Sequence, residues 1–296
     1  MLKSSFTRAL HPIGFEGRCI FGDHWNLIPV HVNPEIPHRA LSGEPRTLES
    51  RNPCSCYQRN SEALASELFF HSEKQDTTGD GWKHLLELIE KAAADQRPEF
   101  DPLEDLALEE RRQIVTLPSS IAKLKQVRNL NLYDSNLVRI PPEIGDMTNL
   151  QIFTPYTSYR LHWFPYEITR CKKLTQTLVS TRALLGNKKH RPPFPELQPG
   201  RDSTAGMDLS RLSPDIWGTD AISHCSVCNR SLKEAGLHQV WISLWVAAYD
   251  VLPLLVNACS PECILALPAP PKDYAQKPHK GGRGVDQPPP RFGPLV

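Results

Sequence analysis

Along residues 80–96 the apolar positions Trp82, Leu85, Leu86, Ile89 and Ala93 recur at helical spacing, with Glu87, Glu90 and Lys91 on the other face. The pattern predicts an amphipathic helix starting near Asp80 with a surface to cover. Leu64, Leu68 and Phe69 predict another over 61–71. A further helix is expected over 102–114, with Leu103, Leu106 and Ile114 inward and acidic residues in its early turns, where they favour the positive end of the helix dipole. Later in the chain the pattern changes to two nearly continuous apolar runs, QVWISLW and VLPLLVNA, joined by VAAYD, which predict a hairpin of two buried strands. Its window from Val240 to Ala258 approaches the length of a membrane span, but Asp250 and Pro253 lie inside it, so no membrane insertion is expected.

Between these regions lies a longer period. Leu117-Pro118, Ile140-Pro141 and Phe164-Pro165 follow one another at intervals of 23 and 24 residues. In the same register stand Ile121, Ile144 and Ile168, then Leu124, Met147 and Cys171, then Val127, Leu150 and Leu174. The period and the order of apolar positions resemble the leucine-rich repeat, in its short intracellular Leu-Pro type. The resemblance covers roughly residues 114–197 and implies a short solenoid, each repeat supplying one strand whose leucines point inward. Two positions depart from that family. Ser135, Ser158 and Arg182 stand where it carries asparagine, and Pro155 replaces an inward leucine, which predicts a short or bulged second strand.

The fold class expected is therefore α/β: a short leucine-rich-repeat solenoid with an N-terminal helical cap, plus a small α+β zinc-binding module. The segments are 1–60 of low order, 61–114 as the helical cap, 115–198 as repeats, 199–222 as linker, 223–267 as the zinc-finger-like module and 268–296 as a Pro/Gly-rich tail. The 28 prolines, nearly twice the usual share of ~5%, suit folded pieces separated by stiff extended stretches. With 34 Lys+Arg against 33 Asp+Glu, no global field draws the chain to nucleic acid or anionic lipid. The first thirty residues hold no apolar run of the kind a secretory signal needs, so a reducing, cytoplasmic setting is expected.

In that setting HCSVC and CSPEC stand out. Cys225 and Cys228 are spaced C-x2-C, a turn that brings two sulfurs to one point, and Cys259 and Cys263 are four apart, on one face of a helix. Ser260 is a natural N-cap and Pro261 a natural first helical residue. Two close pairs read as a four-thiolate site for structural Zn2+, closed to water; reduced buried cysteines and a regulatory disulfide are the alternatives. Turn, hairpin and ligand-bearing helix resemble a treble-clef zinc finger. His224 is expected at the surface. Cys54-x-Cys56 is a weak metal signal without a second pair nearby, and Cys171 falls in a core column.

If the repeats form the solenoid their resemblance implies, strand alternation sends Leu130 and Leu132 inward and Asn129, Asn131, Tyr133 and Asp134 onto the concave face. Thr154, Tyr156 and Thr157 follow from the second repeat, and Gln176, Leu178 and Ser180 from the third. Tyr133 and Tyr156 are expected side by side, a pairing suited to protein recognition. Phe153 and Phe164 belong to the core by register, whereas Tyr159 and Trp163 either meet another surface or cover the irregular second repeat. The run GNKKHRPPF is expected as a solvated loop. No phosphate loop, zinc-protease or serine-hydrolase motif is present. The expected function is that of a protein–protein adaptor and not an enzyme. The alternatives are a nucleic-acid-associated protein, using the finger and the basic stretch KPHKGGRG, and an enzyme of unrecognised type.

Overall fold

The computed structural model describes residues 71, 73–188, 191–197, 222–247 and 250–289, without the side chains of Lys233 and Glu234. The expected helix over 61–71 apart from its last residue, Cys54, Cys56 and nearly all of the 199–222 linker lie outside these residues. The first element is helix α1, Asp80–Ala94, which buries Leu85, Ile89 and Ala92 and leaves Trp82, Leu86 and Ala93 half-buried. Gly81 sits where this helix meets the next helical segment, since a Cβ there would stand 2.6 Å from the carbonyl oxygen of Glu110.

The single helix expected over 102–114 is two short ones, α2 (Pro102–Asp105) and α3 (Leu108–Gln113). Leu106 is extended, with ψ of 136°, and buried, and the Glu110 carboxylate restarts the helix by accepting the Ala107 N–H at 2.7 Å. Leu103, Leu106 and Ile114 all point into the core as expected.

Strands β1 (Glu99–Phe100), β2 (Asn129–Asn131), β3 (Ile152–Thr154) and, after β4 (Phe164–Pro165), β5 (Gln176–Thr177) define the next layer. A parallel sheet has the order β1-β2-β3-β5. Asn129 pairs with Ile152 and Ile152 with Gln176, so the intervals of the sequence reappear as strand register. Each of Pro118, Pro141 and Pro165 holds an extended residue just before a 3-10 turn (Ser119–Lys123, Pro142–Asp146, Tyr166–Arg170), using the φ that its ring fixes. Ile121, Ile144 and Ile168 on these turns are buried, as are the two columns that follow them. β3 stops directly before buried Pro155 and, at three residues, matches β2 in length.

After the short helix α4 (Leu232–Ala235), β6 (His238–Trp245) and β7 (Val251–Ala258) form the expected antiparallel hairpin, followed by α5 (Pro261–Leu265). β7 also pairs in parallel with β4, Phe164 with Leu254 and Pro165 with Leu255, giving a second sheet β4-β7-β6. Phe164, Ile168, Leu252 and Leu254 thus belong to one continuous core. Trp163 is buried with its ring edge-on to fully buried Trp241, the centroids 5.8 Å apart, so it meets the hairpin, whereas Tyr159 is exposed.

Residues 268–289 are docked onto the hairpin. Trp241 and His279 exchange both backbone hydrogen bonds, Leu197 N–H donates to Lys280 O at 2.7 Å, and the Trp241 indole donates to Pro195 O at 2.9 Å. Arg191, which had been expected in a solvated loop, donates to the carbonyls of Gly186, Asp273 and Pro288 and lies over the Tyr274 ring. No described helix is long and apolar enough to cross a membrane.

Candidate metal centre and exposed sheet face

The turn at 225–228 closes through Asn229 N–H to Cys225 O at 3.0 Å and Cys225 N–H to Arg230 O at 2.8 Å, with Asn229 in the left-handed region at φ 61°. Ser226 seats this turn on β7: its N–H donates to Asn257 O at 2.7 Å and its hydroxyl accepts the Asn257 N–H at 2.9 Å. Cys259 follows β7 directly. Ser260 caps α5, its hydroxyl accepting the Cys263 N–H at 3.4 Å, with Pro261 as first helical residue.

These elements bring the Sγ atoms of Cys225, Cys228, Cys259 and Cys263 within 4.8 Å of one another. Cys228–Cys259 and Cys259–Cys263 are 3.4 and 3.6 Å apart, and all four thiols are free, so no disulfide is formed. Sulfurs bound at ~2.3 Å to a tetrahedral ion stand ~3.8 Å apart, close to these separations. Cys225 Sγ also accepts the backbone N–H of Cys259 at 3.3 Å and of Cys228 at 3.5 Å. His224 is exposed and outside the cluster.

The sulfurs differ in their readiness to ionise. The Arg230 N–H, helped by the neighbouring thiols, brings exposed Cys228 down to about 7. Burial, reinforced by the adjacent sulfurs, pushes Cys259 up to about 12, and burial also raises Cys263.

Two residues from the strand region hold this cluster without having been marked by the sequence pattern. Arg170 donates to Ser226 O at 2.9 Å and to Cys225 O at 3.4 Å. Glu167 is buried and hydrogen-bonded to Ser226, and its carboxyl is raised by burial against that bond. Both flank Ile168 in the 3-10 turn, at positions that a solvated turn would also fill with charge.

The sheet face carries the other expected residues. Asn129, Asn131, Tyr133 and Thr154 are half-buried, while Tyr156, Gln176 and Leu178 are exposed. Tyr133 and Tyr156 are neighbours, with ring centroids 6.2 Å apart and planes tilted by 35°. Asp134, Thr157 and Ser180, expected outward, are buried. The chain leaves the strand alternation at these points: Asp134 and Thr157 have φ of 60° and 62°. Thr157 donates to the Asp134 carboxylate at 3.3 Å, and the Ser180 hydroxyl accepts the Thr157 N–H at 2.7 Å.

Behind them Ser135 and Ser158 bond each other and the turn backbone. Their hydroxyls are 2.6 Å apart, Ser158 donates to Leu132 O, and Ser135 N–H donates to Ser158 Oγ. Arg182, taken as the third of this column, is exposed, and Ser180 bonds the turn backbone there. Comparison with protein-family models and with curated proteins finds no match for this chain.

Proposed function

We propose that the chain is a non-enzymatic protein-binding adaptor, built as a short leucine-rich-repeat solenoid whose C-terminal end is closed by a zinc-stabilised, treble-clef-like module. The observation that carries the binding role is the pair Tyr133 and Tyr156, at equivalent positions just past β2 and β3 with ring centroids 6.2 Å apart, with Tyr156 and Leu178 exposed on a sheet face that also carries Asn129, Asn131, Thr154 and Gln176. Paired tyrosines offer a large contact area with little side-chain entropy to lose, which suits a protein partner. Strand register at the sequence period and buried isoleucine columns support the solenoid reading. Four clustered thiols with backbone N–H donors aimed at Cys225 support a closed structural zinc site. The setting we assign is cytoplasmic.

The nucleic-acid reading draws less support, because Lys277, Lys280 and Arg283 share their cleft with Glu196 and Asp286. Site-specific photo-crosslinking from position 156 tests the adaptor. A protein captured from position 156 and absent when the crosslinker stands at Lys172, on the 3-10 side, is the expected result; equal capture from both positions contradicts it. Cobalt substitution tests the metal: a thiolate charge-transfer band is expected, and its persistence in both Cys228→Ser and Cys263→Ser contradicts the assignment.

A further inference from the structure

Away from the cysteines, the segment leading into α1 lies across the loops that follow β2 and β3. Arg139 on the first of these loops and Arg160 on the second are both buried, so the fold encloses two guanidiniums under this segment. Both meet Glu73. Arg139 donates through its two terminal nitrogens to the Glu73 backbone carbonyl, and Arg160 donates to the Glu73 carboxylate, which His71 Nδ1 also approaches at 3.1 Å.

The charges under the segment do not balance. Among the described residues Glu73 is the one carboxylate paired with Arg160 and the one whose field reaches Arg139, so a single negative charge answers two buried positive ones. Arg139 has a neutral carbonyl against its guanidinium, and burial, opposed by Glu73 and reinforced by Arg160, brings it down to about 10. The buried Nε of Arg160 has no acceptor among the described residues, while its other two nitrogens bond Asn136 and Glu73. A charged donor enclosed without its full set of acceptors carries a desolvation cost that nothing offsets. Glu73 is the open member of the group, its side chain 39% exposed against 5% for Arg160, so its carboxylate stands between the guanidiniums and solvent.

We infer that Arg139 and Arg160 form a pocket for a phosphate monoester carried by a partner protein, which the Glu73 carboxylate occupies in cis. A phosphoryl group brings a charge of about −1.5 to −2 and three acceptor oxygens, where Glu73 brings one charge and two oxygens. It would balance both guanidiniums and give the open Nε of Arg160 an acceptor, in the way that clustered arginines take oxyanions. An acidic side chain in place of Glu73 would leave the same charge uncompensated, which is why the pocket favours phosphate over carboxylate. Gln75 holds the segment at its α1 end, its side-chain oxygen accepting the Val115 N–H and its amide donating to Gln113 O, both at 2.9 Å, so Glu73 can leave the guanidiniums without unseating the helix. The pocket is separate from the thiols and does not depend on the tyrosine pair.

The test uses the full chain labelled with 15N-arginine, as wild type, Glu73→Ala and Glu73→Gln, titrated at constant ionic strength with inorganic phosphate, with phosphoserine capped at both ends and with acetate. Removing the competing carboxylate should tighten inorganic phosphate and capped phosphoserine by about tenfold over wild type, because the free pocket is then always available. Both should move the same two arginine Nε–H signals, and acetate should bind more weakly than either. Assigning those signals through Arg139→Gln and Arg160→Gln places the anion, and Glu73→Gln, which keeps the side-chain shape and drops the charge, guards against a folding defect in Glu73→Ala. Equal phosphate affinity in wild type and both Glu73 variants would mean an adventitious ion only and overturn the inference. Acetate matching phosphate would overturn the ligand class, and inorganic phosphate binding where capped phosphoserine does not would overturn the partner.

Discussion

The guanidinium of Arg170 donates to the carbonyl of Ser226 at 2.9 Å, linking the 3-10 turn after β4 to the turn that carries Cys225 and Cys228. With β4 paired to β7 and the cores of the two regions continuous, the cysteine cluster and the last strands of the parallel sheet stabilise each other.

Arg170→Ala should therefore lower the melting temperature and loosen metal together. Loss of a charged donor from two turn carbonyls is expected to cost about 1–3 kcal/mol. Chelator competition read alongside thermal melts checks it. A variant that melts earlier yet holds metal with unchanged affinity would contradict the coupling.

Leu130→Ala and Phe153→Ala remove fully buried side chains from paired positions of β2 and β3 and should each cost about 2–5 kcal/mol. Gln176→Ala, at an exposed position, is the control and should change little. Asn131 is not a suitable control, because its side chain donates to Asp101 at 2.6 Å and accepts the Tyr133 N–H at 3.0 Å. Denaturant midpoints measure all three.

His279 gives the docking of residues 268–289 a pH dependence. Burial against β6 pushes its ring down to about 4 from 6.5, so the folded chain binds fewer protons than the unfolded chain in between. The stability it contributes is present above 6.5 and lost as pH falls toward 4, a swing of up to about 3 kcal/mol. Melts from pH 7 to 4.5 should steepen in wild type relative to His279→Gln. Identical slopes would contradict this.

The parts of the molecule legible in the sequence are those where one residue type has one local role. The isoleucine columns marked the 3-10 turns because burial repeats with the strand register. Ser260-Pro261 marked the start of α5 because a hydroxyl cap and a fixed φ act within one turn. The cysteine pairs announced their own convergence. Asp134 and Thr157 were misplaced because alternation says where strands point and nothing of where φ becomes positive. Trp163 left two outcomes open, Arg191 stood in a run read as a solvated loop, and the residues after Pro268 showed only as a Pro/Gly-rich tail. Their partners lie dozens of residues away, and that pairing is tertiary. Arg170 and Glu167 were hidden for the same reason.

The adaptor reading stands or falls on Tyr133 and Tyr156, and calorimetry with a captured partner measures their role most directly. Tyr133→Ala and Tyr156→Ala should leave the melting temperature nearly unchanged and weaken binding by more than about 1 kcal/mol each, as aromatic hot spots do, with Lys172→Ala as the neutral control. Unchanged affinity in both tyrosine variants would contradict the account and move the binding surface off this sheet face.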